Sequence, residues 1–425
     1  MVMLNLVFYT NNNNTQIDLN IYISMNIIVM KFGGTSVAGI KKLQNIVNIV
    51  SKEVKKNKVI VVLSAMAGET NKLQSYLDQF GSKNSIESDL VLTSGEQVTI
   101  GLLSAALKSI SIKSIPLLGW QIPIITDDNY EKAKILHIDN KRIHKYFENN
   151  DVIVLAGFQG INLDGKITSL GRGGSDTTAV AIASSINAER CDIYTDVDGV
   201  FTTDPNINQN AKKISKVSYE EMLEMSSMGA KVLHTRSVEL AMKNNLTLQV
   251  LSSLTKKDGT FIVDEKDLIE KEIVSGVSYS KNEAKVTISG ILDKPGISAQ
   301  IFSLMSENNI NVDMIVQNIS QDGILANITF TVNKKDYDLT KSVLESSSNV
   351  LKYKSLLLDK NVAKISVVGM GMMSQSGVAE KMFKTLAKNA INILAISTSE
   401  IKISVLIAEK HTNIAVKSLH DVYNL

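Results

Sequence analysis

Two glycine-rich segments carry the residues best suited to chemistry. The first is Lys31-Phe32-Gly33-Gly34-Thr35-Ser36, placed between an apolar run and a stretch of helical periodicity. Adjacent glycines let backbone N–H groups approach an anion, and a helix N-terminus adds favourable partial charge. Lys31 brings a point charge, worth about 4 kcal/mol against a phosphate charge at about 4 Å if the effective dielectric is about 20. The segment has no Gly-Lys-Ser/Thr and so is not a Walker loop; a strand-to-helix turn is the plainer reading. The second segment, Gly171-Arg172-Gly173-Gly174-Ser175-Asp176-Thr177-Thr178, precedes the strongly helical stretch Ala179–Ala188. It fails the dinucleotide fingerprint because Asp176 occupies the last glycine position. Arg172 can grip a carboxylate through two parallel hydrogen bonds. Ser175 and the amides after it can hold an anion, and Asp176 is suited to orienting a cation such as Lys31.

Three further segments are candidates. Tyr194-Thr195-Asp196-Val197-Asp198-Gly199-Val200-Phe201-Thr202-Thr203-Asp204-Pro205 follows a strand. Its paired aspartates suggest a calcium loop, but Val200 and the missing twelfth-position glutamate exclude one. It reads better as a nucleotide lid at the carboxyl end of a sheet, where α/β proteins bind ligands. Ser64 to Asn71 ends a strand in small, hydroxyl and amide groups. Ser94-Gly95-Glu96 opens a helical stretch; Glu96 either holds a substrate ammonium or is an ordinary helix N-terminal acid. The five histidines, His137, His144, His234, His411 and His420, have no metal-ligand spacing and read as satisfied or solvent-facing.

The elements that must position these groups alternate. Apolar β runs at Asn26–Met30, Lys58–Leu63, Ile115–Leu118, Val152–Ala156, Ile193–Thr195 and Leu246–Leu251 are separated by helical-period segments such as Val37–Val54. That order predicts an α/β fold with a mainly parallel sheet sandwiched by helices. Asp164-Gly165 predicts a hairpin. Near residue 256 the chain turns polar, and beyond it repeats at a spacing of 81 residues: Gly296 with Gly377, Phe302 with Phe383, Ile310-Asn311 with Ile391-Asn392. Two ferredoxin-like β-α-β-β units are expected. The predicted division is a leader 1–25, a catalytic region 26–255, a linker and joining strand 256–285, and repeat units 286–360 and 361–425.

Composition narrows the class. At 425 residues the chain exceeds one compact core, and a net charge of +2 recommends no nucleic-acid partner. The single cysteine, Cys191, leaves no internal disulfide framework and suits a reducing cytoplasm. No apolar run reaches the roughly 18 residues of a membrane helix. The leader, with Asn11 to Asn14, lacks a secretory pattern and is expected to be disordered or to reflect a start placed before Met25.

Taken in order, KFGGTS (31–36), SAMAGETN (64–71), SGE (94–96), GRGGSDTTA (171–179), YTDVDGVFTTDP (194–205) and MGAKVLHTRSVE (228–239) resemble the aspartate kinases, within the wider amino-acid kinase family. The repeats resemble tandem ACT domains, the amino-acid sensors of such kinases. The resemblance implies phosphoryl transfer from ATP, carried with Mg2+, to L-aspartate, the first step of lysine, threonine, methionine and diaminopimelate synthesis. It implies inhibition by lysine, threonine or both, and a homo-oligomer built through the ACT units. By residue, it assigns Lys31, Phe32, Gly33, Gly34 and Ser175 to the phosphates, with Asp176 organising Lys31. Ser64, Thr70, Glu96, Arg172, Gly173, Gly174 and Ser175 fall to aspartate. Tyr194, Thr195, Val200, Phe201, Thr202, Thr203, Asp204, Pro205 and Lys231 fall to the nucleotide. Asp293, Gly296, Gln317 and Asn318 fall to the effector. One departure is Thr235, where the family pattern has proline. A kinase of the same fold acting on another small acid, and a non-catalytic amino-acid-binding regulator, are the alternatives; Lys31, Arg172 and Asp176 weigh against the second.

Overall fold

The computed structural model describes residues 26–227, 232–255, 257–268, 273–321, 323–373 and 375–425. The leader 1–25 therefore lies outside the described residues. The runs Val59–Leu63 and Val152–Ala156 are buried along their whole length, as expected of parallel strands covered on both faces. They belong to an eight-stranded sheet. Its centre is Arg190–Thr195, Ile27–Phe32, Lys58–Leu63 and Val152–Ala156, all parallel. Ser114–Leu117 closes one end, and Leu248–Ser252, Thr260–Val263 and Lys216–Ser218 extend the other.

Strand alternation sorts the core into two layers. Val29, Ile60, Val62, Ile153 and Leu155 face one way and pack with Ala179, Val180 and Ile182 of the helix Gly174–Ser185. Ile28, Met30, Val59, Val61 and Val154 face the other way, onto Leu43, Ile46 and Val50 of Ile40–Glu53 and Leu103 and Leu107 of Gly95–Ser109. Each such side chain contributes about 1.5–3 kcal/mol on burial. The segment Ile86–Ser109 is apolar and long enough to cross a membrane by composition, which the sequence reading did not anticipate. It divides into Ile86–Leu92 and Gly95–Ser109, and half of it is buried in the protein. The Asp164-Gly165 hairpin joins Gln159–Ile161 to Ile167–Ser169 in a separate four-stranded sheet.

The repeat is real at the level of backbone. Helices Ile297–Glu307 and Val378–Lys388 start from Gly296 and Gly377, with φ of 91° and 95°. The strands of both units share one six-stranded sheet. Gly276–Leu292 is its pivot, and the boundary drawn at 285/286 cuts this single strand. Gly276–Ser280 pairs with Lys364–Val368 of the second unit, and Lys285–Ser289 pairs with Ser355–Asp359 of the first. The first unit is thus inserted into the second. Buried Lys364 ties them, pairing with Asp313 and lying 3.7 Å from Glu283.

Candidate active site

The strand Ile27–Phe32 delivers Lys31 to the carboxyl end of the main sheet, and Gly33 begins a single helical turn, Gly34–Val37. Lys31 Nζ lies 2.5 Å from Asp176 Oδ1, both side chains being more than four-fifths buried. A Cβ on Gly33 would stand 3.3 Å from that Nζ, and one on Gly34 would stand 3.0 Å from the Ala65 carbonyl oxygen. The glycines therefore keep the turn open around the lysine. Opposite, the helix Gly174–Ser185 starts inside the second glycine segment, from Gly173 at φ 72°. Close packing explains that residue: a Cβ on Gly173 would meet the His234 ring at 2.4 Å. His234, expected to be satisfied or solvent-facing, instead presses on the loop, and its Nδ1 is buried without a hydrogen-bond partner among the described residues.

Between the two segments lies a cavity of about 390 Å³ lined by Lys31, Gly33, Gly34, Ser64, Thr70, Glu96, Arg172, Gly173, Gly174, Ser175 and Asp176. Glu96 is 2% exposed. Its Oε1 accepts the Ala65 N–H at 3.0 Å, while Oε2 is buried with no partner among the described residues. Burial pushes its carboxyl up to about 7, against the Ala65 N–H, which draws it down. Arg172 is exposed. The loop behind it is held by two groups that the sequence reading did not single out. Asp89 accepts the Ser169 N–H and hydroxyl, both at 2.6 Å, and the Glu131 N–H at 3.0 Å. Arg236 donates to the Leu170 and Ala133 carbonyls at 3.0 and 2.9 Å. A larger open groove of about 860 Å³ beside Lys134–Ile138 contains none of the predicted site residues.

A second cavity, of about 630 Å³, lies against the same sheet end. Thr195, Val200, Phe201, Thr203, Asp204 and Pro205 line it, with Met225 and Val232. Val277, Ser278 and Tyr279 of the regulatory sheet also line it, which no local sequence signal pointed to. Thr203 Oγ1 and Ser278 Oγ are buried there without partners among the described residues. Tyr194 and Phe32 are not in this wall: their rings stack on each other 4.5 Å apart within the core. Thr202 turns away, its Oγ1 lying 3.0 Å from His420 Nε2. Lys231 lies outside the described residues.

The predicted effector residues gather at the outer edge of the first repeat unit. Ser298 Oγ donates to Gln317 Oε1 at 3.2 Å, and Gln317 Nε2 donates to Asp293 Oδ1 at 3.4 Å. Gly296 caps the adjoining helix, and Asn318 follows Gln317 on the edge strand Val312–Ile319.

Residues 26–252 match the amino acid kinase family, and residues 286–347 and 365–423 each match an ACT domain. An aspartate kinase of Pseudomonas putida is 46% identical over 408 residues, covering 94% of this chain and 98% of its own. An aspartokinase of Helicobacter pylori is 47% identical over 405 residues, covering 94% and 99%. The fold is similar to that of E. coli aspartokinase III solved with aspartate and ADP, at TM-score 0.78, 24% identity, and coverage of 93% of this chain and 99% of that one. The same E. coli protein solved with lysine and aspartate matches at TM-score 0.73 and 24% identity, with the same coverage.

Proposed function

The chain belongs to the aspartate kinases of the amino acid kinase family, and from that membership we propose how its residues move the γ-phosphoryl group of ATP onto the β-carboxylate of L-aspartate, giving ADP and 4-phospho-L-aspartate. One observation carries the reading. A single cavity holds the Lys31–Asp176 pair together with Arg172 and the unpartnered Oε2 of Glu96. An amino acid with both an ammonium and a carboxylate fits that set: Glu96 takes the ammonium, Arg172 the α-carboxylate, and Ser64 and Thr70 line the remainder.

The acceptor needs no general base. An aspartate side chain titrates near 3.9 and is already ionised at neutral pH. The barrier comes from bringing two anions together, so catalysis is a matter of placing positive charge. Lys31, held by Asp176, supplies one charge, and the amides from Gly33 and Ser175 supply partial charge at two helix starts. Mg2+ carried by the ATP oxygens and water adds neutralising charge when bound. The nucleotide occupies the cavity lined by Thr195, Val200, Phe201, Thr203, Asp204 and Pro205, where the Thr203 hydroxyl offers a hydrogen bond.

Lysine, threonine or both act as inhibitors at Asp293, Gly296, Gln317 and Asn318; the E. coli protein solved with lysine supports an effector of this class. Ile315 and Ile319, each more than half exposed on the open edge strand, suit pairing with a second copy. A cytoplasmic setting fits the buried free thiol of Cys191. The test is ATP-dependent acyl-hydroxamate formation with L-aspartate, L-glutamate and N-acetylglutamate. Preference for L-aspartate supports the assignment, and equal turnover of the first two, or turnover of N-acetylglutamate alone, refutes it.

A further inference from the structure

The nucleotide cavity is closed on one side by a strand of the regulatory sheet. Val277 N–H donates to the Thr202 carbonyl at 2.7 Å. A Cβ on Gly276 would stand 3.0 Å from that carbonyl oxygen and 3.2 Å from Met225 Cε. This contact is close enough that glycine suits it, and it seats the strand directly against the lid segment. Two side chains follow. Ser278 is 6% exposed, lines the cavity, and has a buried hydroxyl without a partner among the described residues. An unpaired buried hydroxyl is costly to a folded chain, and a ligand in the cavity is the natural partner. Tyr279 donates its hydroxyl to Asp204 Oδ2 at 2.9 Å. Asp204 Oδ1 in turn accepts the Asn206 N–H at 2.9 Å and the Asn206 side-chain amide at 3.0 Å. The tyrosine therefore fixes the turn that forms the lid's far end.

We propose that the regulatory strand is part of the nucleotide site: Ser278 hydrogen-bonds the bound nucleotide, and Tyr279 is a positioning residue that holds Asp204 and its turn in place. The inference rests on the nucleotide reading of this cavity. It also gives the sensor sheet a direct route to the nucleotide. Gly276–Ser280 pairs with the second repeat unit, so any shift of that sheet against Thr202 moves Ser278 and Tyr279 within the cavity.

The test uses the full chain and Ser278→Ala and Tyr279→Phe, each of which removes one oxygen and little else. Loss of a hydrogen bond to a nucleotide is expected to raise KM for ATP and Kd for ADP about 5- to 10-fold. KM for aspartate and kcat should hold near the wild-type values. Ser278→Ala should not lower the melting temperature, since the hydroxyl has no partner among the described residues. A drop in Tm with unchanged ADP affinity would assign both residues to folding alone and overturn the proposal. Hydrogen exchange of residues 195–206 in the wild type, with and without ADP, separates the two levels. Protection by ADP with unaltered variants sinks only the role of Ser278 and Tyr279. No protection by ADP sinks the nucleotide reading and this proposal with it.

Discussion

Lys31 and Asp176 stand 145 residues apart in sequence and 2.5 Å apart at Nζ and Oδ1. The strand end and the helix start that carry them meet at the mouth of the same cavity. The acidic partner fixes where the lysine's ammonium sits in a part-buried setting.

Lys31→Ala should therefore lower kcat by about 100-fold or more, the usual loss of about 2.7–4 kcal/mol for a transition-state donor. Asp176→Asn should lower kcat by a smaller factor, since the charge remains but loses its anchor. Steady-state kinetics at saturating substrates checks both, and near-normal kcat in Lys31→Ala would remove the lysine from the phosphate site.

Glu96 sets a pH dependence. Its carboxyl is raised to about 7 by burial, so the free protein holds it protonated below that point and ionised above it. An ammonium prefers the ionised form, so KM for aspartate should be about tenfold lower at pH ~8 than at pH ~6. Glu96→Gln should raise KM and flatten the profile. Stability carries the opposite sign: a raised carboxyl pKa disfavours the folded state as pH climbs from the ordinary carboxylate range towards 7, because the unfolded chain ionises first. Melting curves of wild type and Glu96→Gln should diverge over that window.

Asp89 is fully buried and supports the Arg172 loop through Ser169 and Glu131. Replacing it with alanine strands three donors and should cost about 2–4 kcal/mol, read as a lower denaturation midpoint. Arg172→Ala should leave stability unchanged and raise KM for aspartate; Arg172→Lys should rescue it poorly, because a paired grip needs the planar fork.

Asp293→Ala and Gln317→Ala should stay active and lose inhibition. A 100-fold weaker preference of effector for the inactive form corresponds to about 2.7 kcal/mol of coupling. Calorimetry with lysine and threonine, singly and together, reads the change directly; unaltered affinity in both variants would move the effector site elsewhere.

The sequence by itself determined the central strands of the main sheet and where the glycines would sit, but not short strands such as Ile124–Thr126, Lys216–Ser218 and Thr260–Val263. Runs such as Lys58–Leu63 are apolar throughout, and a run of that kind has few other places to go than a sheet covered on both faces. Gly296 and Gly377 announced matching helix starts because both need a left-handed backbone. Tertiary structure decided what local pattern does not encode. The sequence reading divided this stretch at 285/286, yet Gly276–Leu292 is one strand whose two halves pair with different repeat units, and that pairing puts Ser278 beside the segment Val200–Pro205. Tyr194 and Thr202 sit among lid residues in sequence but face the core and His420, since direction in extended chain depends on register with distant neighbours. The raised carboxyl of Glu96 belongs to the same class: its neighbours in sequence are ordinary, and the water it loses is removed by residues that only the fold brings around it.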